Sequence, residues 1–147
     1  MNKLSHLDSK NQPKMVNVGE KKPTKRVAKA QAEMYLGEEI MKELSGGEIL
    51  TKKGAVFHTA IIAGIQGAKK TSDLIPLCHP ISLDRVVVRS VLRQEEGAVD
   101  VFCAASISDK TGVEMEALTG LSIALLTIWD LVKPVNPAQE VSDVKLL

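Results

Sequence analysis

The stretch Asp73-Leu-Ile-Pro-Leu-Cys-His-Pro80 holds one of the two cysteines and one of the three histidines in the chain. Pro80 disfavours helical geometry at His79, so we expect this ring to sit in a rigid, extended segment. A rigid backbone beside a titratable ring is typical of a functional loop, although a tight structural turn can have the same sequence.

The adjacent residues Cys78 and His79 raise the question of a cysteine nucleophile, which needs its base within hydrogen-bond reach. Neighbouring side chains of an extended chain point in opposite directions, which argues against this dyad. A zinc site lacks further ligands at suitable spacing, and no disulfide pattern includes Cys103. We therefore expect no cofactor and no metal. Cys78 is expected to be a small buried residue, and His79 a ligand-binding or structural histidine.

A second constellation is Lys110-Thr-Gly-Val-Glu-Met-Glu116. Glu114 and Glu116 fall at a predicted helix start, where the helix dipole favours carboxylates. That structural role explains one glutamate comfortably. Two glutamates flanking Met115 could also bind an amino-rich heterocycle such as a guanine-like ring.

A third candidate pair is Asp130 with Lys133, which a spacing of three places on one face of a helical turn. A surface ion pair is the commoner explanation for such a pair taken alone. Residues 121–132 are otherwise almost wholly apolar. We therefore expect Asp130 to lie in apolar surroundings, which shift carboxyl pKa values toward acid–base chemistry.

Basic residues form a fourth group, of which Lys52 and Lys53 precede Gly54 and a predicted helix. Free amides at a helix N-terminus, together with lysine, can hold a phosphate. A solvated charged surface is the alternative explanation. The glycine spacing of a P-loop is absent.

Length and composition limit the class of protein and the kind of fold that can hold these candidate residues in place. The chain has 147 residues, a formal net charge of +1, 44% hydrophobic residues and only 3% aromatic residues. One domain with an aliphatic core is expected, and a base-stacking nucleic-acid surface is not. We find no apolar run of about 18 residues and no signal-peptide pattern, and the cysteines are isolated. These features indicate a reduced cytoplasmic protein.

Periodicity predicts the strands. Residues from Arg26 to Leu36 favour helix by composition, but apolar and polar residues alternate, and we give the alternation more weight. Leu83–Leu92 and Val99–Ile107 flank turn residues and predict a β-hairpin. Weaker strand patterns lie at Met15–Val18 and, as an edge strand, at Val141–Leu147.

Helices are predicted from Glu38 to Leu44, from the Lys52-Lys53-Gly54 segment to Lys70, and from Glu114 to Val132, where Pro134 prevents continuation. Glycines within the second of these helices indicate close packing or ligand approach. Two long helices and an antiparallel sheet predict a two-layer α+β sandwich. Residues 1–14 are expected to form a flexible segment before a single domain at 15–147.

Taken together, these motifs resemble the MoaC family, the cyclic pyranopterin monophosphate synthases of molybdenum-cofactor biosynthesis. The likeness extends from about Met15 to Leu147. The motifs that carry it are Lys53-Gly54, Ile62-Ala-Gly-Ile-Gln66, Asp73–Pro80, Lys110–Leu118, and Asp130 with Lys133.

The resemblance implies a ferredoxin-like fold, an antiparallel sheet covered by two long helices, and a homohexamer built as a trimer of dimers with interface active sites. It implies a lyase acting on a small-molecule substrate, a cyclised dihydro-guanosine triphosphate. Its ring system is opened and rebuilt, a cyclic phosphate closes, and diphosphate leaves.

The resemblance also implies roles for individual residues. The catalytic residues would be Asp130, Lys53 and Lys133. Those that bind substrate would be Leu77, Cys78, His79, Met115 and Glu116, with Glu114, Lys110 and Arg26 as further pocket members.

Helix geometry adds one expectation of its own. Glu116 and Asp130 are 14 residues apart on one predicted helix, which separates them by about 21 Å. We therefore expect each active site to combine residues from two chains. The alternatives are a non-catalytic nucleotide-binding or assembly module and, less favoured, a thiol hydrolase using Cys78. An apolar setting of Asp130 would favour the enzyme.

Overall fold

The computed structural model describes residues 4–147. In chain order, the elements of this part are β1 (Thr24–Tyr35), α1 (Glu38–Met41), β2 (Leu44–Ser45), β3 (Glu48–Thr51), β4 (Gly54–Ala55), α2 (Val56–Lys69), α3 (Thr71–Leu74), β5 (Arg85–Arg93), β6 (Ala98–Asp109), α4 (Glu114–Val132) and β7 (Glu140–Leu146).

The main sheet has the spatial order β5-β6-β1-β7 and is antiparallel throughout. Helices α2 and α4 pack against each other and against one face of this sheet. The chain order β1-α2-β5-β6-α4-β7 is the βαββαβ arrangement of ferredoxin-like folds. The predicted two-layer α+β sandwich is therefore confirmed.

Strand β1 lies between β6 and β7, and its alternating pattern explains its position. Ala28, Ala30, Ala32 and Met34 are buried on the helix-covered face, whereas the residues between them are exposed or half-buried. Burial of one face outweighs the helix propensity of this composition. The strand prediction for this segment is confirmed.

Helices α2 and α4 approach each other through glycine. A Cβ atom on Gly64 would lie 3.0 Å from the carbonyl oxygen of Gly120 and 2.9 Å from Val88. A Cβ atom on Gly120 would lie 2.7 Å from the sulfur of Cys103. Close packing therefore explains the glycines within these helices.

The hairpin, the helix Glu114–Val132 and the final edge strand are confirmed, but some local predictions are wrong. Met15–Val18 forms no strand. The first predicted helix is only the single turn of α1. The small sheet β2-β3-β4 was not predicted, because strands of two to four residues carry too few alternations to detect.

The expectation of no long apolar segment is also wrong. By length and composition alone, α4 is apolar enough to cross a membrane, yet half of its apolar stretch is buried within the protein. Leu121, Ala124 and Ile128 belong to the hydrophobic core. The apolar character of α4 is therefore that of a core helix.

The N-terminal segment precedes β1. Residues 1–3 lie outside the described residues. Residues 4–14 form turns and one isolated bridge between Leu7 and Pro13. This segment continues toward the α4 N-terminus, where it contributes to the site described next.

Candidate active site

Lys53, Asp130 and Lys133 meet at the C-terminal end of α4. The Lys133 amine donates to Asp130 Oδ1 at 2.9 Å, and the Lys53 amine lies 3.3 Å from both carboxylate oxygens. Lys133 reaches the carboxylate because it follows Asp130 by one helical turn. Lys53 arrives from a distant part of the sequence. The structure thus brings together all three predicted catalytic residues.

Lys53 occupies the two-residue turn between β3 and β4. The hydroxyl of Thr51 donates to the Gly54 carbonyl at 2.9 Å and accepts from the Lys53 amide at 3.2 Å. Gly54 has a φ of +120°, which side-chain-bearing residues rarely adopt. The shape of the turn that presents Lys53 therefore favours glycine at the next position.

The expected apolar setting of Asp130 is wrong. Its side chain is 51% exposed, because it lies on the outer face of α4 rather than on the core face. Hydrogen bonds from Lys133 and then Lys53, together with their charges, lower the pKa of Asp130. Asp130 is consequently an ionised carboxylate held between two cations at neutral pH, and its setting does not distinguish an enzyme from a binding module.

A second cluster surrounds a cavity of about 330 Å³ at the N-terminal end of α4. The Asp73–Pro80 stretch forms one wall and the first turn of α4 another. The predicted substrate-binding residues that line this cavity are Leu77, Cys78, His79, Glu114, Met115 and Glu116.

Glu116 is a buried carboxyl group at this cavity. Its side chain faces the cavity but the residue is only 4% exposed. Burial is the main cause that raises the pKa of Glu116; the negative charge of Glu114 adds to this, while its own backbone amide and His79 oppose it. The environment expected for Asp130 is therefore found at Glu116, at the other end of the helix.

The N-terminal segment covers one side of this cavity. The ring Nε2 of His79 is hydrogen-bonded to the backbone carbonyl of Val16. The segment's residues at the cavity are Ser5, His6, Val16, Val18 and Lys21. Sequence reasoning missed them because nothing in the sequence indicates that this segment lies near His79, and the strand pattern at Met15–Val18 gave the wrong local structure.

The burial expected for Cys78 is found at the other cysteine instead. Cys78 is only partly buried, whereas Cys103 is the fully buried thiol. Burial, with a contribution from Glu116, raises the pKa of Cys78, which disfavours the reactive thiolate. Although Cys78 and His79 line the same cavity, His79 bonds to Val16 rather than to the thiol. This arrangement does not support a thiol hydrolase.

The remaining predicted pocket members, Lys110 and Arg26, are not among the residues that line the cavity. The Lys110 amine donates to the Gly19 carbonyl at 3.0 Å and so fastens the N-terminal segment. Arg26 lies on β1 opposite Ile107, and its Nε is buried without a hydrogen-bond partner among the described residues.

The structure does not support the hypothesis of a phosphate at the N-terminus of α2. The carboxylate of Glu48 accepts the amide hydrogens of Phe57 and His58 in the first turn of this helix. These amides are therefore occupied. Lys52 and Lys53 lie on the preceding turn. The Lys53 amine contacts Asp130 rather than the helix N-terminus.

The two clusters lie at opposite ends of α4. Glu116 and Asp130 are 14 residues apart, which corresponds to about 21 Å along the axis. One end offers a buried carboxyl group, an imidazole and a cavity of about 330 Å³. The other offers an ionised carboxylate between two ammonium groups. The first arrangement can bind a ring, and the second can move protons and balance negative charge.

Comparison with known proteins agrees with these motifs. A model of the MoaC family matches residues 15–147. A cyclic pyranopterin monophosphate synthase of Campylobacter jejuni (strain 81-176) is 46% identical over 144 residues, covering 98% of this chain and 90% of that protein. A synthase of the same name from Helicobacter pylori (strain HPAG1) is 45% identical over 143 residues, covering 97% of this chain and 89% of that protein. The chain belongs to the MoaC family.

Proposed function

We propose that this chain is a cyclic pyranopterin monophosphate synthase of molybdenum-cofactor biosynthesis. It converts (8S)-3',8-cyclo-7,8-dihydroguanosine 5'-triphosphate to cyclic pyranopterin monophosphate and diphosphate. The observation that carries this proposal is the meeting of Lys53 and Lys133 on Asp130 in a member of the MoaC family. Because closing the cyclic phosphate breaks a phosphorus–oxygen bond with loss of diphosphate, the enzyme is a lyase.

The chemistry assigned to Lys53, Asp130 and Lys133 is proton transfer during ring opening and closure. Groups that donate and accept protons within hydrogen-bond distance of one another can relay them through one small site. In our proposal, the lysines exchange protons with substrate, and Asp130 orients both amines. When a substrate hydroxyl attacks the α-phosphorus, its proton passes to a base and the bond to the departing diphosphate breaks.

The cavity at the other end of α4 is assigned to the guanine-derived ring. A buried carboxyl group such as Glu116 can pair with ring N–H or amino groups, and Met115 offers a polarisable apolar contact. His79, with Leu77 and Cys78, forms a rigid wall that fixes the ring. Lys110, Arg26 and Glu114 are proposed to complete the pocket, the two cations balancing part of the triphosphate's charge.

A complete active site requires both clusters, and one protomer keeps them about 21 Å apart. We therefore propose that the cavity of one protomer faces the Lys53–Asp130–Lys133 cluster of a second. A twofold dimer would create two such sites, and three dimers would form the homohexamer. Residues 15–147 would act as one catalytic domain, in the cytoplasm, where nucleotide-derived substrates are available.

The direct test is to incubate the purified protein with the cyclised dihydro-guanosine triphosphate. Stoichiometric appearance of diphosphate and cyclic pyranopterin monophosphate is expected. The Asp130→Asn variant is the matched control and should bind the substrate without releasing diphosphate. Binding without turnover by the unmodified protein would favour the non-catalytic nucleotide-binding module instead.

A further inference from the structure

Helix α2 begins without a capping residue of its own. Its N-cap position is Ala55, whose φ of −74° and ψ of 127° are typical of a cap but whose side chain cannot accept a hydrogen bond. The first amides of a helix have no partners within the helix. A cap must therefore come from elsewhere in the chain.

Glu48, which lies seven residues before Ala55, supplies this cap. Its Oε1 accepts from the Phe57 amide at 2.8 Å and its Oε2 from the His58 amide at 3.1 Å. Oε1 also accepts from the Ile49 amide at 2.8 Å. Both carboxylate oxygens are thus bonded to backbone, and one of them reaches two different elements, β3 and α2.

The carboxylate is adapted to this role as an anion. Its side chain is only 16% exposed, and the His58 Nδ1 lies 3.1 Å from Oε2. Burial alone would raise the pKa of Glu48, but the hydrogen bonds from Phe57, Ile49 and His58 outweigh it and lower the pKa. Glu48 therefore remains ionised at neutral pH. A negative charge at this position is favourable, because the helix dipole stabilises anions at a helix N-terminus.

These contacts hold together the two ends of the segment that carries Lys53. Glu48 begins β3, and Lys53 lies in the turn between β3 and β4. Strand β4 leads directly into α2. Because Glu48 joins the start of β3 to the start of α2, the turn between them has both of its ends fixed. The Lys53 amine at the tip lies 3.3 Å from Asp130.

We propose that Glu48 is a positioning residue, whose carboxylate fastens the β3–β4 hairpin to the N-terminus of α2 and thereby holds the Lys53 amine against Asp130. Its carboxylate contacts backbone amides and the His58 ring and makes no hydrogen bond to Asp130 among the described residues. Its consequence for turnover rests on the function proposed above, whereas its consequence for the position of Lys53 does not.

The position of Lys53 can be measured without any activity assay. Lysine amines would be acylated under limiting reagent and quantified by peptide mass spectrometry, with Lys52 as the internal reference. In the unmodified protein Lys53 should react severalfold more slowly than Lys52, because Asp130 engages its amine. In Glu48→Ala the two rates should become equal. Glu95→Ala, at an exposed glutamate in the turn between β5 and β6, should leave the ratio unchanged.

Turnover gives the second measurement. Glu48→Ala should lower kcat by about 10-fold or more, since a displacement of a reacting group by about 1 Å can cost about 100-fold in rate. KM should change little, because the proposed ring-binding cavity lies at the other end of α4. If the unmodified protein proves inactive, the proposed function fails while the acylation ratio still tests the role of Glu48.

A rescue variant separates positioning from helix stability. Ala55→Asp in the Glu48→Ala background installs a local N-cap. We expect the melting temperature to recover while Lys53 stays reactive and kcat stays low. Glu48→Gln, which keeps the size of the side chain, provides a folded variant if Glu48→Ala is unstable, and should also expose Lys53. Unchanged Lys53 reactivity in the folded Glu48 variants, or recovery of the Lys53 ratio with stability in the double variant, would overturn the proposal.

Discussion

Glu116 and Asp130 lie at the two ends of helix α4, the one buried beside a cavity and the other half exposed between two lysines. Their separation of about 21 Å places them too far apart for one reacting centre within a protomer. The two carboxyl groups differ in environment, and the function proposed above gives each a different role in a different part of the site.

The first prediction concerns sharing of the active site between protomers. Asp130→Asn and Glu116→Ala should each be nearly inactive alone. When the two are co-expressed and form mixed dimers, random pairing should restore about a quarter of the sites to wild-type composition. The measurement is diphosphate release by the mixture. A mixture of separately purified variants that do not exchange subunits is the control, and mixed dimers without activity would contradict a shared site.

The second prediction concerns Asp130 itself. Asp130→Asn keeps the size of the side chain but removes the charge that attracts Lys53 and Lys133. Because this side chain is half exposed, the melting temperature should change little, while kcat should fall by about 100-fold or more. Steady-state kinetics and thermal unfolding of the same preparation test both statements. Near-normal kcat would remove Asp130 from the mechanism.

The main sheet and α4 were predictable because each carries a long periodic signal. The alternation in β1 and the segment from Glu114 to the stop before Pro134 both appear in the structure as expected. The motif residues could also be named in advance. Sequence spacing could further place Glu116 and Asp130 at opposite ends of one helix.

The environment of Asp130 could not be predicted, because an apolar helix need not be buried on every side. Leu126 on α4 is 62% exposed, so apolar neighbours in sequence did not imply apolar surroundings. The Glu48 cap and the contact of Val16 with His79 were equally invisible. Both join distant segments through hydrogen bonds between a side chain and backbone groups, and such bonds leave no pattern in the sequence.

The third prediction follows from the raised pKa of Glu116. At low pH the carboxyl group is protonated in both the folded and unfolded states and carries no penalty. As pH rises through the glutamate pKa of the unfolded chain, about 4.3, the unfolded state releases its proton first and folding is disfavoured. Glu116→Gln should therefore be more stable than the parent at pH 7 and equal to it below about pH 4.

Melting temperatures of the parent and of Glu116→Gln, measured from about pH 4 to pH 7, test this prediction. Glu95→Gln, at an exposed glutamate, is the matched control and should show no such divergence. A parent that is the more stable protein at pH 7 would contradict the proposed environment of Glu116.

The fourth prediction tests the glycine contact between the helices. Gly120→Ala would place a methyl group 2.7 Å from the Cys103 sulfur and 2.9 Å from the Gly64 carbonyl. Overpacking of this kind costs about 1–3 kcal/mol, which exceeds the gain from replacing a helical glycine. Urea unfolding should show the loss, whereas Ser122→Ala on the exposed face of α4 should be close to neutral. An equally stable Gly120→Ala protein would show that the helices can separate without cost.

The fifth prediction concerns the thiols. Burial raises the pKa of Cys103 to about 11, so at pH 8 only about one thiol in a thousand is ionised. Iodoacetamide should leave Cys103 unmodified in the folded protein and should modify Cys78 slowly. Both should react at ordinary rates in urea. Peptide mass spectrometry distinguishes the two sites, and rapid modification of Cys103 before unfolding would contradict its burial.

The pairing of β1 with β7 has a consequence for biosynthesis. Register pairs join Ala30 to Leu146 and Tyr35 to Glu140, so one edge of β1 stays open until the last strand has left the ribosome. A nascent chain that ends near Lys133 already carries the proposed catalytic side chains but exposes an unpaired strand edge. Such an edge readily pairs with other chains. Translational pausing before β7 should therefore promote aggregation.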